Sequence, residues 1–314
     1  MAKTALVADP IYKEHLTGEG HPERPERLDA VIQAIEQAGL VKDLVRLTSR
    51  PATEEEVAAC HARTYIETTR RDISSGRREL STGDTAVSVR SFEIALRAAG
   101  GVLNAVDAVL RGKAKNAFCA PRPPGHHATP ERGMGFCIFN SIAIGARWAQ
   151  KAHGLARVLI ADWDVHHGNG TQDIFYKDGS VFVFNTHQWP WYPGTGRAQE
   201  TGEGRGEGAN LNCPFPAGSG RKEILGAFRE KLVPAAERFR PELVMVSAGF
   251  DSRIGDPLGR FTLSDDDFAD LTMVALEIAQ KHAGGRLVSV LEGGYNLAGL
   301  ASAASRHLKA LMTA

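Results

Sequence analysis

The chain has 314 residues, 43% of them apolar and 24% charged, and its 37 basic side chains balance 37 acidic ones. This length and apolar share supply a sizeable core, while a formal net charge of +0 removes the electrostatic footprint of a sequence-independent nucleic-acid binder. No apolar run reaches membrane-spanning length, and the opening Met1–Ala2–Lys3 is charged too early for a signal peptide. The four cysteines, Cys60, Cys119, Cys137 and Cys213, are widely spaced and form no CxxC pair. They predict a reducing, cytoplasmic setting and argue against a cysteine-based zinc site. No nucleic acid and no membrane is expected as a partner.

In chain order, Thr4–Asp9 reads as a first strand. His21–Leu28 is a charged, proline-stiffened loop, its alternating charges equally those of a solvated loop, that enters a helix running to about Ala38 and ended by Gly39. Thr53–Glu56 has the signature of a capped helix start. Arg90–Leu110 carries apolar residues at helical spacing and stops at Gly112. Phe118–Cys119 then ends a strand-like segment, and Pro121–Arg122–Pro123–Pro124–Gly125 presents two adjacent histidines, His126 and His127. Histidine is the side chain suited to proton transfer near neutral pH, and this proline-held pair is more restrained than a solvated loop requires. Gly133–Asn140 opens a helix running to about Ala152. Within it Phe136 fits core packing and an exposed pocket wall equally well.

Arg157–Ala161 is a short apolar, β-branched run read as a buried strand, followed by Asp162–Trp163–Asp164–Val165–His166–His167–Gly168–Asn169–Gly170. Alternate residues of a strand share a face, so Asp162, Asp164 and His166 are expected on one side, where a carboxylate and an imidazole can bind a divalent metal. Gly168 and Gly170 are read as permitting a sharp turn. Any one of these acids could simply cap a helix, but two acids and two histidines crowded at a strand end point to a site. Val181–Thr186 is another strand, ending in a loop dense in aromatics, Trp189–Pro190–Trp191–Tyr192, that fits a pocket wall or a buried anchor. Leu243–Ala248 is a strand with Asp251 beyond its end, a third ligand candidate. Phe261–Gln280 is read as a helix with Ser264 as its cap. Leu287–Leu291 is the last strand, ending in Glu292–Gly293–Gly294–Tyr295, where a phenol on a mobile turn can donate a hydrogen bond. Strands alternating with helices predict an α/β fold with a mostly parallel sheet and helices on both faces. With no repeat or linker, one domain is expected over 1–314. The polar candidates all follow strands, where open α/β sheets place their ligands.

Taken together, PRPPGHHA, GMGFCIFN, DWDVHHGNGTQ, WYPGTG, SAGFDSRIGDPLG and LEGGYN resemble the zinc-dependent histone deacetylase family, which includes acetylpolyamine amidohydrolases and acetoin-utilisation proteins. The resemblance runs in order from about His21 to Tyr295 and looks like the class II branch. It implies a single-domain arginase–deacetylase fold and metal-dependent hydrolysis of N-acyl amides. By that resemblance the metal ligands are Asp164, His166 and Asp251, and the catalytic pair is His126 and His127. Asp162 orients His126, Asn169 orients His127, and Tyr295 polarises the substrate carbonyl. Gly135, Phe136 and Tyr192 line a substrate tunnel, with Leu258 at its rim. Zn2+ is the expected cofactor, and two carboxylates against one imidazole also admit Fe2+ or Co2+. Structural K+ near Asp162–His166 and Asn185–Thr186 is implied by resemblance alone. The implied partner is an acylated lysine or a small acyl-amine, with a homo-oligomer left open. In the family's eukaryotic polyamine-specialised branch glutamate stands where this chain has Leu258, which favours acyl-lysine over acetylpolyamines; the loop acids Glu19, Glu23 and Glu26 are the alternative readers of a cation. An arginase-like manganese hydrolase needs bridging carboxylates not found here. A non-catalytic binding module would be expected to lack a ligand, a histidine of the pair or the tyrosine.

Overall fold

The computed structural model describes residues 3–314. Eight strands, β1 (Ala5–Val7), β2 (Val45–Leu47), β3 (Asn116–Cys119), β4 (Val158–Asp162), β5 (Val181–Gln188), β6 (Asn210–Phe215), β7 (Leu243–Ala248) and β8 (Leu287–Leu291), form one sheet in the order β2-β1-β3-β8-β7-β4-β5-β6. Every pairing is parallel. The α-helices are α1 (Glu26–Gln37), α2 (Glu54–Val57), α3 (Arg63–Ser74), α4 (Ser91–Leu110), α5 (Ser141–His153), α6 (Asn169–Phe175), α7 (Arg221–Ala227), α8 (Val233–Phe239), α9 (Asp265–His282) and α10 (Leu297–Leu311). α4 packs with α5, while α10 packs against α1 and α9. The central strands β3, β4, β7 and β8 are buried along their whole length, which is why they read as mainly apolar runs, each with one polar residue.

Local signals explain most boundaries. Thr53 and Glu56 make the reciprocal capping box expected of α2, and Ser264 with Asp267 makes another at α9. That cap starts α9 at Asp265, so Phe261 lies in its extended lead-in rather than in the helix. Likewise the side chain of Asn140 accepts the amide of Ala143 and starts α5 there, leaving the Gly133–Phe139 stretch as an irregular loop. β5 runs two residues beyond the expected Thr186, because His187 and Gln188 still pair with Pro214 and Phe215.

Register positions the site. Cys119 pairs with Val290, Ala248 with Leu291, and Asp162 with Ser247. Four neighbouring strands therefore end within about a residue of one another, and the segments leaving them are side by side. Trp163 is fully buried just past β4, packed against Phe228, Phe268 and His307, and anchors the start of that cluster in the core.

Candidate metal and catalytic site

β4 delivers Asp162 and ends there. Asp164 and His166 lie in the bend that follows, not on the face of an extended strand as the spacing suggested. Asp162 Oδ1 accepts the amide of Asp164 at 2.9 Å, and Asp164 Oδ1 accepts the amide of His166 at 2.9 Å. Each carboxylate folds the chain back on the amide two residues later, so the side chains converge by bending rather than by strand alternation. Asp251 joins from beyond β7, its Oδ1 accepting the amide of Val165 at 2.9 Å. One donor atom from each of Asp164, His166 and Asp251 lies within 4.8 Å of the others. His166 Nδ1 is 3.0 Å from Asp164 Oδ1 and 3.1 Å from Asp251 Oδ2. A tetrahedral ion with ligand bonds near 2 Å sets its donors about 3.3 Å apart, so this set fits a divalent cation.

Glycines make room for it. A Cβ at Gly249 would lie 2.0 Å from Asp164 Oδ2, and one at Gly293 would lie 2.0 Å from Asp251 Oδ2. Gly168 and Gly170 also act through close approach rather than through a turn: a Cβ would meet Asp162 Oδ2 at 2.4 Å and the Ala128 carbonyl at 2.3 Å, respectively. The electrostatics are those of a cation site. Burial works to lower His166, yet hydrogen bonds and charge from Asp164 and Asp251 carry it up to about 10. Burial and then the charge of Asp164 push Asp251 up to about 7. Two buried carboxylates this close need positive charge between them.

Beside this set sit the two histidines. His126 Nδ1 is 2.9 Å from Asp162 Oδ2, and His127 Nδ1 donates to Asn169 Oδ1 at 2.8 Å. The rings are 4.1 Å apart, and their environments divide them. Burial lowers His126, but the charges of Asp164 and Asp162 win and raise it to about 10. His127 is held well below the usual histidine range by burial and by the neighbouring imidazoles His126 and His166. One imidazole thus carries a proton, and the other, its Nδ1–H committed to Asn169, has a free Nε2 lone pair.

Tyr295 is buried at the end of the Gly293–Gly294 turn. Its amide donates to Asp256 Oδ2 at 2.7 Å, and the Arg27 guanidinium lies 4.8 Å from the centre of its ring. A cavity of about 260 Å³ opens above His127, His166 and Tyr295. Gly135, Phe136, Tyr192 and Leu258 line it, as expected, and Trp191 and Asp84 join them. Trp191 Nε1 donates to the Leu258 carbonyl at 2.8 Å, which ties the aromatic loop to the Asp251 segment. Gly135 at φ +57° and Phe136 at φ +67° are both left-handed, and a Cβ on Gly135 would lie 2.3 Å from the His127 ring. This strained turn puts the phenyl ring of Phe136 edge-on to Tyr295, centroids 5.8 Å apart.

Sequence reasoning missed several supports. Asp84 carries no local motif; its Oδ1 accepts the amide of Gly135 at 2.7 Å, and its Oδ2 accepts the Tyr192 hydroxyl at 3.0 Å. The His21–Leu28 stretch is not a simple solvated loop, since it buries Glu23 and Arg27 completely. Glu23 pairs with Arg122 at 2.5 Å and with Arg27 at 3.2 Å, so it is not free to read a substrate's cation. Glu19 and Glu26 are exposed and do not line the cavity.

The histone deacetylase domain model matches residues 21–311. The sequence is similar to the histone deacetylase-like amidohydrolase of Pseudomonas aeruginosa, 41% identical over 278 residues that cover 88% of this chain and 73% of that protein. It is also similar to a probable deacetylase of Archaeoglobus fulgidus, 40% identical over 298 residues, covering 94% and 82%. The human polyamine deacetylase HDAC10 is 41% identical over 329 residues, which span 98% of this chain and 48% of HDAC10. Among solved structures, the HDA15 HD domain superposes with a TM-score of 0.93 at 35% identity, over 99% of this chain and 89% of that one.

Proposed function

The chain belongs to the histone deacetylase family and is a deacetylase or amidohydrolase, and we propose that it uses zinc to hydrolyse linear N-acyl amides, acetyl-lysine foremost. The observation that carries this reading is the donor triad of Asp164, His166 and Asp251 at the floor of an aromatic-walled cavity, beside an imidazole with a free lone pair. When bound there, a divalent cation supplies Lewis-acid polarisation of the acyl carbonyl and acidifies a water. Fe2+ or Co2+ would be accepted by the same donors.

The remaining work falls to the chain's own side chains. His127 Nε2 takes a proton from the attacking water and delivers it to the departing nitrogen. Asn169 fixes the tautomer that leaves this nitrogen available. His126, kept cationic against Asp162, stabilises negative charge in the site without giving up its proton. The Tyr295 hydroxyl donates to the carbonyl oxygen as charge builds on it, a preorganised donor in a largely buried position. Phe136 and Tyr192 hold the aliphatic stem of the acylated chain. Acyl-lysine is favoured over an acetylpolyamine because Leu258 offers only apolar contact and Glu23 is locked by two arginines. The four free, buried cysteines support a cytoplasmic setting, and no helix among the described residues is long and apolar enough to cross a membrane. Structural potassium around Asp162–His166 and Asn185–Thr186 belongs to this reading through family resemblance.

The test is acetate release from an acetyl-lysine peptide by protein stripped with a chelator and then reloaded. Loss on stripping and recovery with one equivalent of Zn2+ is expected. Full turnover by demonstrably metal-free protein would overturn the reading.

A further inference from the structure

We infer that Glu292 is a positioning residue for the hydrolysis, its carboxylate seating the peptide that carries His126 and His127 against the turn that carries Tyr295. Glu292 follows β8 directly and is fully buried. Its Oε2 accepts the amide of Gly125 at 2.7 Å and the amide of His126 at 3.1 Å. Two further peptide groups of the loop are held elsewhere: the His126 carbonyl accepts from the amide of Thr171 at 3.1 Å, and the amide of Ala128 donates to the Gly125 carbonyl at 3.0 Å. Glu292 is thus the acceptor for the two amides immediately ahead of the paired imidazoles.

The same segment reaches the rest of the site. The Glu292 carbonyl accepts from Arg27 Nη2 at 2.5 Å, and Arg27 in turn stacks over the Tyr295 ring. The next amide, Gly293, donates to Asp164 Oδ2 at 2.8 Å, and Tyr295 itself follows two residues later. Four consecutive residues therefore touch the histidine loop, a metal-site carboxylate and the phenol. Glu292 Oε1 is buried with no hydrogen-bond partner among the described residues. Burying a carboxylate with an unused oxygen costs free energy, which the charge of His126 offsets only in part. What it supplies is reach: one oxygen, at the end of two methylenes, between two amides.

Reach and charge are separable by substitution. Glu292→Gln keeps the acceptor and its reach but removes the charge; Glu292→Asp keeps the charge but draws the acceptor back by about 1.5 Å. A displacement of about 1 Å at a catalytic group costs about 100-fold in rate, so Glu292→Asp is expected to lose kcat on that scale. Glu292→Gln is expected to fall no more than about fivefold, since its carbonyl still accepts both amides. KM and bound zinc should be unchanged in both variants. The opposite ranking, equal losses, or two near-normal variants would each overturn the assignment, as would a loss confined to KM. Amide hydrogen exchange over residues 122–128 is the second readout, and it applies even if the Asp variant does not fold. Protection of Gly125 and His126 should persist in Glu292→Gln, and loosened exchange there with wild-type kcat would sink the link between seating and rate. The inference rests on the deacetylase reading, which wild-type turnover of the acetyl-lysine peptide tests separately from the ranking of variants.

Discussion

At the scale of single residues, the site depends on a few atoms with no substitutes nearby. Asp164 and Asp251 each supply one of three clustered donor atoms. Asp164→Ala or Asp251→Ala should therefore abolish turnover and lower bound metal, read by elemental analysis after gel filtration. A full equivalent of tightly held zinc with near-normal rate would remove either residue from the ligand set. Tyr295 presents a different case, because it is not one of the three clustered donors. Tyr295→Phe should keep its metal and lose about 100- to 1000-fold in kcat, the scale for one missing oxyanion donor. A rise in KM at constant kcat would make it a ground-state contact instead.

At the scale of elements, the loops are as constrained as the strands that carry them. The turn at Gly135 and Phe136 is left-handed at both residues and presses on the His127 ring. Gly135→Ala adds a methyl where the backbone disfavours it and where the imidazole already lies. Displaced by about 1 Å, His127 should lose about 100-fold in kcat while the fold is retained, as circular dichroism would show. Wild-type kinetics in that variant would mean the loop yields freely. A second constraint joins α10, α9 and β8 through His307. The Thr272 hydroxyl donates to the Phe268 carbonyl at 2.6 Å and so accepts from His307 Nδ1 at 2.6 Å, while Ser289 Oγ donates to His307 Nε2 at 2.8 Å. This arrangement holds the ring neutral, and burial pushes it down to about 3 from 6.5. The unfolded chain binds this proton at a higher pH than the folded one. His307 therefore contributes its stability above about pH 6.5 and loses it as pH falls toward about 3. Replacing it with glutamine should destabilise the protein less at about pH 5 than at about pH 7.5, measured as the gap in urea midpoints. A gap independent of pH would show that the ring does not titrate between folded and unfolded states.

At the scale of the whole molecule, three separate segments bring the apolar walls of one cavity together. Leu258, Trp191, Phe136 and Tyr192 present apolar and aromatic contact at its walls, and the buried Glu23 is withdrawn by Arg122 and Arg27. An acetyl-lysine peptide should accordingly exceed acetylputrescine in kcat/KM at fixed ionic strength. A clear advantage for acetylputrescine would defeat this reading, and Asp84 would then be the first acid to substitute.

Much of this was written locally in the chain. Strands such as Val158–Asp162 and Leu287–Leu291 are legible because burial on both faces demands a mainly apolar run. The site's side chains are legible because chemistry restricts them to Asp, His and Tyr just past those runs. Contacts between distant segments left no such mark. Asp84, Arg27 and Glu292 hold amides, carbonyls and rings far away in sequence, and nothing in their own neighbourhoods announces it. Strand alternation predicts that Asp162, Asp164 and His166 converge, but the convergence arises from carboxylates turning back on the amides two residues later. Local periodicity and composition thus determined the elements and the chemistry they could carry. Only the tertiary structure decided which buried charges meet, because a carboxylate's partner is chosen by register and loop path rather than by its neighbours in the chain.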